Sequence, residues 1–372
     1  MLPYRQFSLP FWRSHRHGRS QEVVTVTDQL NDSYDVVVVG GGAAGLNGAL
    51  MLARSRRSVV VIDAGAPRNA PAAAAHGLFA RDGVPPLELL ERGRAEVRQY
   101  GGQVVSGEVA AIAPATFAAE GNSEVAAATA ETSAAEGDSE SAPIGFVVTL
   151  ADGRSVRARR ILVTTGLVDE LPDIPGVRER WGRDVLHCPY CHGWEVRDQV
   201  IGVLGGGPMS AHQALMFRQL SDDVTLFTHT GTLTGEQSEQ LAARGIRVIK
   251  GEVTALEGDG DRIAGVRLGD GTLTPIEALV VGPRMVARAD FLRSAGLEAI
   301  EHPSGMGEYI PADAVGKTAV PGIWAAGNVT DLSAQVGAAA AAGAWAGAQI
   351  NGELITEETA RAVEESRKLV RS

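Results

Sequence analysis

The sequence predicts an α/β protein with two doubly wound sheets, and three observations support this fold class. The chain has 372 residues, enough for roughly two domains of about 150 residues each. It is 44% hydrophobic and 21% charged and contains 45 glycines, a composition typical of α/β proteins with many tight turns. Two segments, which start at Tyr34 and Gln199, also show the pattern strand, glycine turn, helix, strand.

The first of these segments reads YDVVVVGGGAAGLNGALMLARSRRSVVVIDAG. Gly40, Gly42 and Gly45 have the G-x-G-x-x-G spacing of a turn that lets the backbone approach a pyrophosphate at a helix N-terminus. Asp63 ends the second strand, where a carboxylate holds a ribose hydroxyl. The pattern predicts dinucleotide binding, and the alternative is an ordinary glycine-rich turn of a doubly wound sheet.

The chain continues with a helix expected near residues 86–100 and strands expected over 103–112, 144–150 and 155–166. Asp152-Gly153 forms the hairpin turn between the last two strands. Residues 118–143 contain six acidic residues and neither Lys nor Arg, so we expect a disordered loop insertion there.

A Pro-containing connection over residues 162–176 has the composition of a crossing between domains. The second strand-turn-helix-strand segment follows, with Gly205 and Gly207 in its turn and Ser210 in place of the third glycine. Further short strands are expected within 245–282, and the final segment reads as a strand, a glycine turn and a helix of small residues.

Cys188 and Cys191 are the only cysteines, and they lie in HCPYCHG. A C-x-x-C pair at a helix start favours a reactive thiolate, and His192 is placed to take or return its proton. A zinc site and inert core cysteines are the alternatives, and an exposed turn histidine is the alternative for His192. We read the other histidines, including His76, His212 and His229, as isolated and structural.

The order of these motifs, with TGLVDELPDIPG at the crossing and AAGNVTD near the end, resembles the low-molecular-weight thioredoxin reductases among the pyridine nucleotide-disulfide oxidoreductases. The resemblance covers about residues 33–352. It implies that Cys191 faces a flavin and that Cys188 meets the substrate. It implies FAD binding by a set of residues in the first fold: Gly40, Gly42, Ala44, Gly45, Asp63, Val109, Gly166, Gly327, Asn328 and Gln335. NADPH or NADH would bind at Gly205, Gly207 and Ser210.

The resemblance also implies a homodimer and a discontinuous FAD domain with two Rossmann-type folds, the second inserted into the first. The expected divisions are a flexible basic tail, the first FAD segment with its acidic insert, an NAD(P)-type domain that carries the cysteines, the second FAD segment and a C-terminal tail. Their bounds are 1–32, 33–168 (insert 118–143), 169–282, 283–355 and 356–372.

Three departures from thioredoxin reductases concern the electron source or sink. Pro189-Tyr190 and then His192 replace the usual Ala-Thr and Asp around the cysteines, and Asn328 replaces an Asp. The second fold has Thr228-His229-Thr230 where a basic cluster normally binds the NADPH 2′-phosphate, and it has no acid for an NAD ribose, so this segment does not favour binding of a pyridine nucleotide. The form C-P-Y-C-H-G-W-E is more similar to dithiol oxidases, which close disulfides in natural products with FAD and oxygen.

These observations predict an FAD-dependent thiol-disulfide oxidoreductase. In the thioredoxin reductase direction, electrons pass from NAD(P)H through FAD and the cysteines to an external disulfide. In the dithiol oxidase direction, they pass from a small dithiol through the cysteines and FAD to oxygen. The substrate would be a small dithiol or disulfide, or a thioredoxin-like protein. A flavin-bound redox sensor without catalytic activity is a further alternative.

Charge and hydropathy exclude other classes of partner. The net charge is -11 and the sequence pI is about 5.3, which disfavours nucleic acid. No apolar run reaches the about 20 residues that a membrane-spanning helix needs, and the basic N-terminus lacks the apolar core of a secretory signal. We therefore expect a cytoplasmic protein that binds no membrane.

Overall fold

The computed structural model describes residues 29–116 and 144–371. Nearly all of the predicted basic tail and the acidic insert 118–143 lie outside the described residues. Up to residue 163, the described residues contain β1 (Ser33–Val39), α1 (Ala43–Arg54), β2 (Val59–Asp63), α2 (Pro86–Gln99), β3 (Gln103–Ser106), β4 (Val109–Thr116), β5 (Ile144–Leu150) and β6 (Ser155–Val163).

The middle and final stretches contain thirteen further strands, five further helices and two short 3-10 helices. The middle stretch has β7 (Leu167–Glu170), α3 (Val177–Arg180), β8 (Val185–Leu186), α4 (Pro189–His192), β9 (Ile201–Leu204), α5 (Ser210–Phe217), β10 (Val224–Phe227), α6 (Gly235–Ala243), β11 (Arg247–Ile249), β12 (Val253–Asp259), β13 (Arg262–Leu268), β14 (Leu273–Thr274) and β15 (Ala278–Val280). The final stretch has β16 (Arg284–Ala287), a 3-10 helix (Asp290–Ala295), β17 (Ile300–Glu301), β18 (Glu308–Tyr309), β19 (Ile323–Ala325), a 3-10 helix (Gly327–Val329) and α7 (Val336–Arg371).

The first sheet has the strand order β3-β2-β1-β6-β5-β4, and β19 also pairs with β6. The β1 strand runs parallel to both β2 and β6, and Val38 pairs with Val61 on one side and with Leu162 on the other. All three side chains are fully buried, because the apolar run of each strand is covered on both faces. The glycine turn after β1 therefore lies where the sheet order reverses, the usual ligand position in such sheets.

The second sheet repeats this arrangement with the parallel order β11-β10-β9-β15-β8. Its glycine turn follows the central strand β9. A three-stranded antiparallel sheet, β12-β13-β14, lies in the same part of the chain. The two doubly wound sheets confirm the predicted fold class.

The chain crosses between the two sheets through one antiparallel pair of strands. It leaves the first sheet through β7 and returns through β16, with Val168 paired to Val286. The second fold is therefore inserted into the first. We call the part around the first sheet the first domain and the part around the second sheet the second domain.

A loop of the first domain, residues 64–85, contacts the second domain. Arg68 donates two hydrogen bonds, of 2.8 and 2.7 Å, to the carboxylate of Asp169 at the crossing. His76 Nε2 lies 3.4 Å from Oε1 of Glu195, which follows Cys191 by four residues. Gly182 of the second domain also packs on Pro71, since a Cβ at Gly182 would lie 2.6 Å from the proline Cβ. This 64–85 loop joins the two domains beside the cysteines.

Small residues bring α1 and α7 into close contact. A Cβ at Gly343 would overlap the carbonyl oxygen of Ala44, and a Cβ at Gly347 would lie 2.6 Å from the carbonyl oxygen of Gly48. Asn47 Nδ2 donates to the carbonyl oxygen of Ala340 at 2.8 Å. The small-residue helix expected near the C-terminus is therefore a packing surface for the helix that follows the first glycine turn.

The prediction of a separate C-terminal tail over 356–372 is wrong for residues 356–371, which continue α7. The helix continues for two reasons. The residues at these positions are good helix formers, and their charged side chains form ion pairs with arginines of the first domain. Glu358 Oε1 lies 2.6 Å from an Nη1 atom of both Arg57 and Arg159. Glu357 Oε2 likewise accepts from Arg160 Nη2 at 2.7 Å. These ion pairs anchor the end of α7.

Replacing Glu358 by glutamine is expected to lower the free energy of unfolding at pH 7 by about 1 kcal/mol. The hydrogen bond from Arg57 lowers the pKa of Glu358 from its ordinary value of 4.5 to about 2. The stabilisation is thus present above pH 4.5 and is lost as the pH falls towards 2. Urea unfolding at pH 7 and at pH 3 measures the difference, with Glu365→Gln, an exposed position on α7, as the matched control. Equal effects of both substitutions would contradict the role of the ion pairs.

Candidate active site

The glycine turn after β1 is fixed by close backbone contacts. Gly40 has φ +104°, and a Cβ there would lie 2.6 Å from the carbonyl oxygen of Thr164. A Cβ at Gly45 would overlap the carbonyl oxygen of Gly40. Thr164 Oγ1 lies 3.0 Å from the carbonyl oxygen of Val39 and 2.9 Å from that of Gly40, and so ties the turn to the end of β6. The turn accepts only glycine at these two positions, because a Cβ at either would displace the neighbouring backbone.

Gly42 differs from these glycines because it faces open space. It is the N-cap residue of α1, no side chain caps the helix, and no atom lies within 4 Å of the position of a Cβ. The first amides of this 12-residue helix are thus left for a ligand. Such amides, with the positive end of the helix dipole, suit a phosphate group. Ala44, in the first turn of α1, is buried against α7.

Asp63, at the end of β2, lies directly over the turn, since a Cβ at Gly41 would overlap its carboxylate. Arg94 Nη2 donates to Asp63 Oδ2 at 2.9 Å, and the amide of Gly65 donates to Oδ1 at 3.1 Å. Each oxygen keeps a second lone pair for a ribose hydroxyl. Sequence reasoning missed Arg94, because no local pattern links a residue of α2 to the end of β2.

The structure brings several other predicted cofactor residues towards this turn. The amide of Gly107 donates to the carbonyl oxygen of Asp63 at 3.0 Å, which places Val109 and the start of β4 nearby. Gly166 has φ +67° and faces open space. Gly327 has φ +83°, and a Cβ there would lie 2.8 Å from the Cβ of Ala44. Backbone from three parts of the chain therefore surrounds the N-terminal end of α1.

Asn328 and Gln335 lie just before α7. The Asn328 amide nitrogen donates to the carbonyl oxygens of Asp331 at 3.0 Å and of Ala334 at 2.8 Å. Both its hydrogens are used, so only its Oδ1 remains to accept from a ribityl hydroxyl. Gln335 lies beside the 64–85 loop, with Oε1 3.6 Å from the position of a Cβ at Gly77. The open cradle, the uncapped amides and these amide groups together fit FAD.

Cys188 and Cys191 form a disulfide, and both are half-buried. Cys188 is the N-cap of the four-residue helix α4, and its Sγ accepts from the amide of Cys191 at 3.1 Å. Pro189 occupies the first helical position, where its fixed φ favours the turn. The residues between the cysteines thus hold both sulfurs on one short turn, ready for thiol-disulfide exchange.

His192 ends α4 directly after Cys191 and is half-buried. Its Nε2 atom is buried and makes no hydrogen bond to any residue in the described ranges. Burial lowers the pKa of His192 below its ordinary value of 6.5, while the negative charge of Glu195 opposes this shift. The ring is therefore mainly neutral at pH 7 and able to accept a proton.

The other histidines differ from His192 in their surroundings. His187 Nδ1 lies 3.1 Å from the carbonyl oxygen of Val281 and 3.0 Å from Gln213 Nε2, and burial lowers its pKa. No cluster of three or more His, Cys, Asp or Glu residues suited to a metal occurs in the described part of the chain.

His229 Nδ1 accepts from the amide of Val253 at 3.1 Å, as a structural residue would. The reading of His76 as isolated is wrong, because it contacts Glu195.

The second glycine turn, after β9, is closed by its own side chain and by a neighbouring loop. Ser210 Oγ donates to the carbonyl oxygen of Gly207 at 2.6 Å and accepts from its amide at 3.1 Å. Gly231, in the loop after β10, packs on Gly206, since a Cβ at Gly231 would lie 2.7 Å from the Gly206 nitrogen. Gly205 is equally crowded, because a Cβ there would lie 2.5 Å from the carbonyl oxygen of Thr228.

A cavity of about 540 Å³ adjoins this second turn. No charged side chain lines it among the described residues. Its walls come from the turn, from the threonine-rich loop after β10 and from nearby side chains: Gly205, Gly206, Gly207, Pro208, Ser210, Ala211, Leu226, Thr228, Thr230, Gly231, Thr232, Leu233, Gln237 and Gly305. The groups that distinguish NADPH or NADH, a cation for the 2′-phosphate and a carboxylate for the ribose, are missing from these walls.

Comparisons with known proteins agree with this arrangement. The family model for pyridine nucleotide-disulphide oxidoreductases matches residues 34–346. The chain belongs to this family. It is 28% identical over 333 residues to thioredoxin reductase sirT of Leptosphaeria maculans, a match that covers 86% of the chain and 93% of the relative.

Two solved structures are similar over most of their length. The crystal structure of HlmI has a TM-score of 0.79 and 44% identity, and the match covers 91% of this chain and 98% of HlmI. An oxidoreductase from Agrobacterium tumefaciens has a TM-score of 0.75 and 32% identity, with coverage of 87% and 99%.

Membership of the family makes the protein a flavoprotein oxidoreductase that acts on sulfur groups, with Cys188–Cys191 fitting its redox-active centre. The family uses FAD together with a pyridine nucleotide partner. Within residues 29–116 and 144–371, no helix combines the length and the hydropathy needed to cross a membrane.

Proposed function

We propose that the protein oxidises a small dithiol to its disulfide through Cys188–Cys191 and FAD, with oxygen as the final electron acceptor. One observation carries this direction of electron flow. The walls of the second cavity, as far as the structure describes them, contain neither a cation nor a carboxylate to hold a pyridine nucleotide. The electrons are then supplied by a thiol substrate, not by NAD(P)H.

Each residue of the candidate site has a role in this reaction. A substrate thiolate attacks Cys188 Sγ, which forms a mixed disulfide and releases Cys191 as a thiolate. His192 accepts the proton of the substrate thiol, since burial keeps its ring neutral at pH 7. The second substrate thiol then displaces Cys188 and closes the product disulfide. FAD, when bound at the glycine turn after β1, would supply the two-electron acceptor that restores the cysteine disulfide, with oxygen as the final acceptor.

The position of the cysteine pair supports a small substrate. Both cysteines are half-buried, and the 64–85 loop holds the second domain against the first through Arg68 and His76. A small dithiol reaches such a disulfide more easily than a folded thioredoxin-like protein does. The aromatic rings of Tyr190 and Trp194, which lie on either side of His192 in the sequence, are exposed. They offer an apolar surface to a small dithiol.

The second candidate function is an NAD(P)H-dependent disulfide reductase. The observation in its favour is the cavity of about 540 Å³ beside Gly205 and Gly207, which is large enough for part of a nucleotide. The cysteines, FAD and His192 would act in the same way, with electrons flowing outwards to an external disulfide.

Anaerobic mixing of the purified yellow protein with dithiothreitol and, separately, with NADPH and NADH distinguishes the two directions. We expect dithiothreitol to bleach the flavin absorbance and air to restore it with formation of hydrogen peroxide. We expect NADPH and NADH to bleach the flavin at least about 10²-fold more slowly at equal concentration, a difference of about 2.7 kcal/mol in activation free energy. Rapid bleaching by either nucleotide would replace the proposal by the reductase.

A further inference from the structure

Two large aromatic side chains next to the cysteines in the chain lie open to solvent. Tyr190 stands between the two cysteines, and Trp194 follows Cys191 by three residues. Their exposed fractions are 70% and 66%, so neither ring adds much to the hydrophobic core. Single exposed apolar residues are common in proteins, but adjoining ones mark a surface at which something binds.

The backbone places these two rings on the same side of one turn. The amide of Gly193 donates to the carbonyl oxygen of Pro189 at 3.0 Å, the four-residue spacing of a helix. Gly193 itself has helical dihedral angles, φ −68° and ψ −31°. Residues four apart on such a turn are neighbours on its surface, with Cβ atoms about 5–6 Å apart. Tyr190 and Trp194 are therefore adjacent, and we call them the aromatic pair.

The opposite side of this turn packs on the second domain. A Cβ at Gly193 would overlap Cδ1 of Leu220, which follows α5. Val196, three residues after Gly193, is buried in one core cluster with residues of β9 and β10. The turn thus has an inner face that anchors it and an outer face that carries the aromatic pair. Because the pair does not belong to the anchor, substitutions there should leave the fold intact.

The Trp194 ring is held in place by Arg197. The guanidinium carbon Cζ lies 4.2 Å from the centre of the ring, within the range of a cation–π contact. Arg197 Nη1 also donates to the carbonyl oxygen of Trp194 at 2.7 Å. One face of the indole is thus covered, and its exposed area belongs to the other face and the edge. A ring that is fixed before a ligand arrives loses little conformational entropy when the ligand binds.

Polar groups border the aromatic pair, as they border many binding surfaces. Glu195 directly follows Trp194, and its Oε1 lies 3.4 Å from Nε2 of His76 in the 64–85 loop. His76 Nδ1 lies 3.5 Å from Asp82 Oδ2 in the same loop, so the imidazole lies between two carboxylates. The aromatic pair is therefore found where the first domain meets the turn that carries the cysteines.

We propose that Tyr190 and Trp194 bind the substrate and select a dithiol whose two sulfur atoms are joined through short links to a flat, unsaturated ring. The inference rests on the proposed exchange at Cys188–Cys191 and names the class of substrate for it. Such a ring stacks on the free face of the indole, because aromatic rings attract each other in offset-stacked and edge-to-face arrangements. The links are short because Tyr190 lies between the two cysteines in the chain.

Two dithiols that differ in their carbon skeleton test this proposal. In ortho-benzenedimethanethiol the thiols are attached to a benzene ring, and in dithiothreitol they are attached to an open chain. Each loses two electrons and two protons as it closes a cyclic disulfide of the same ring size. The holoenzyme is mixed anaerobically with increasing concentrations of each dithiol, and the flavin absorbance gives a limiting rate and a half-saturating concentration. We expect the ratio of these two quantities, the efficiency, to be at least about fivefold larger for the aromatic dithiol.

Trp194→Leu keeps an apolar side chain but removes the flat ring, whereas Trp194→Phe keeps a flat ring. We expect Trp194→Leu to lower the efficiency with the aromatic dithiol about five- to tenfold more than the efficiency with dithiothreitol, mainly through a higher half-saturating concentration. Trp194→Phe should recover most of this preference, and Tyr190→Leu and Tyr190→Phe should differ in the same way. The matched control is Trp345→Leu, at an exposed tryptophan of α7, which should keep the wild-type preference.

The same effect of Trp194→Leu on both dithiols, or no recovery in Trp194→Phe, would overturn the proposal and leave Trp194 as a structural residue of the turn. Equal efficiencies of the wild-type enzyme with both dithiols would show that the surface does not select a ring. Faster reduction of the flavin by a reduced thioredoxin than by either dithiol would assign the surface to a protein partner instead. Failure of both dithiols to reduce the wild-type flavin would overturn the exchange reaction itself, so the two failures are distinguishable.

Discussion

Replacing Cys188 by serine is expected to reduce dithiol oxidation at least about 10³-fold, in line with the loss of a covalent nucleophile. A serine oxygen cannot form the mixed disulfide on which the proposed reaction depends. The fold should survive, because Cys188 caps α4 by accepting from the amide of Cys191, and a serine hydroxyl accepts the same hydrogen bond. Oxygen consumption with dithiothreitol measures the loss, and far-ultraviolet circular dichroism with flavin content checks the fold.

Cys191→Ser is the matched variant, because it keeps the other thiol. We expect its free Cys188 to form a mixed disulfide with cystamine faster than the free Cys191 of Cys188→Ser does, as shown by the mass of the adduct. This difference follows from the assignment of Cys188 to the substrate and of Cys191 to the flavin. A faster reaction at Cys191 would reverse the two roles, and equal activity of Cys188→Ser and the wild type would remove the cysteines from the reaction.

Substitutions at two glycines of the first turn are expected to have different effects, one on the free energy of unfolding and the other on FAD affinity. Gly45→Ala should lower the free energy of unfolding by about 3 kcal/mol or more, because its Cβ would overlap the carbonyl oxygen of Gly40 and lie 2.5 Å from Thr164 Oγ1. Gly42→Ala should leave this free energy nearly unchanged, because its Cβ meets no atom within 4 Å. It should instead weaken FAD binding about tenfold or more, equal to about 1.4 kcal/mol, by filling the space that a pyrophosphate needs.

Urea unfolding of flavin-free protein and titration with FAD measure the two effects separately, which matters because bound FAD itself stabilises the folded state. Gly352→Ala is the control, since this helical glycine of α7 is exposed and its Cβ meets no atom. That substitution should raise stability by about 0.5–1 kcal/mol. Normal FAD affinity in Gly42→Ala would remove the pyrophosphate from the position assigned to it.

The features that were predictable from the sequence depend on residues close together in the chain. The turn around Gly42, the strand that ends at Asp63 and the pair Cys188–Cys191 are each encoded within a few residues or within one strand-helix-strand segment. Backbone sterics and hydrophobic periodicity therefore determine them with little help from the rest of the molecule. The two doubly wound sheets follow from the same patterns.

The features that were missed depend on residues far apart in the chain. Arg94 on α2 reaches Asp63 at the end of β2, and His76 reaches Glu195 from another domain. The end of α7 was predicted as a tail because the partners of Glu358 lie in the turn after α1 and on β6. Charges in such pairs leave no periodic pattern in the sequence, so each pair becomes visible only when its two elements pack together.

The sequence by itself determined the fold class, the glycine cradle and the redox-active cysteines, because local backbone geometry requires particular residues at fixed spacing. Only the tertiary structure decided what surrounds them. It closed the second turn with Gly231, lined the adjoining cavity, as far as the structure describes its walls, with uncharged residues, and placed His76 between two carboxylates. The physical reason is that electrostatic and steric complementarity is a property of surfaces from separate elements, and it exists only after hydrophobic packing has brought those surfaces together.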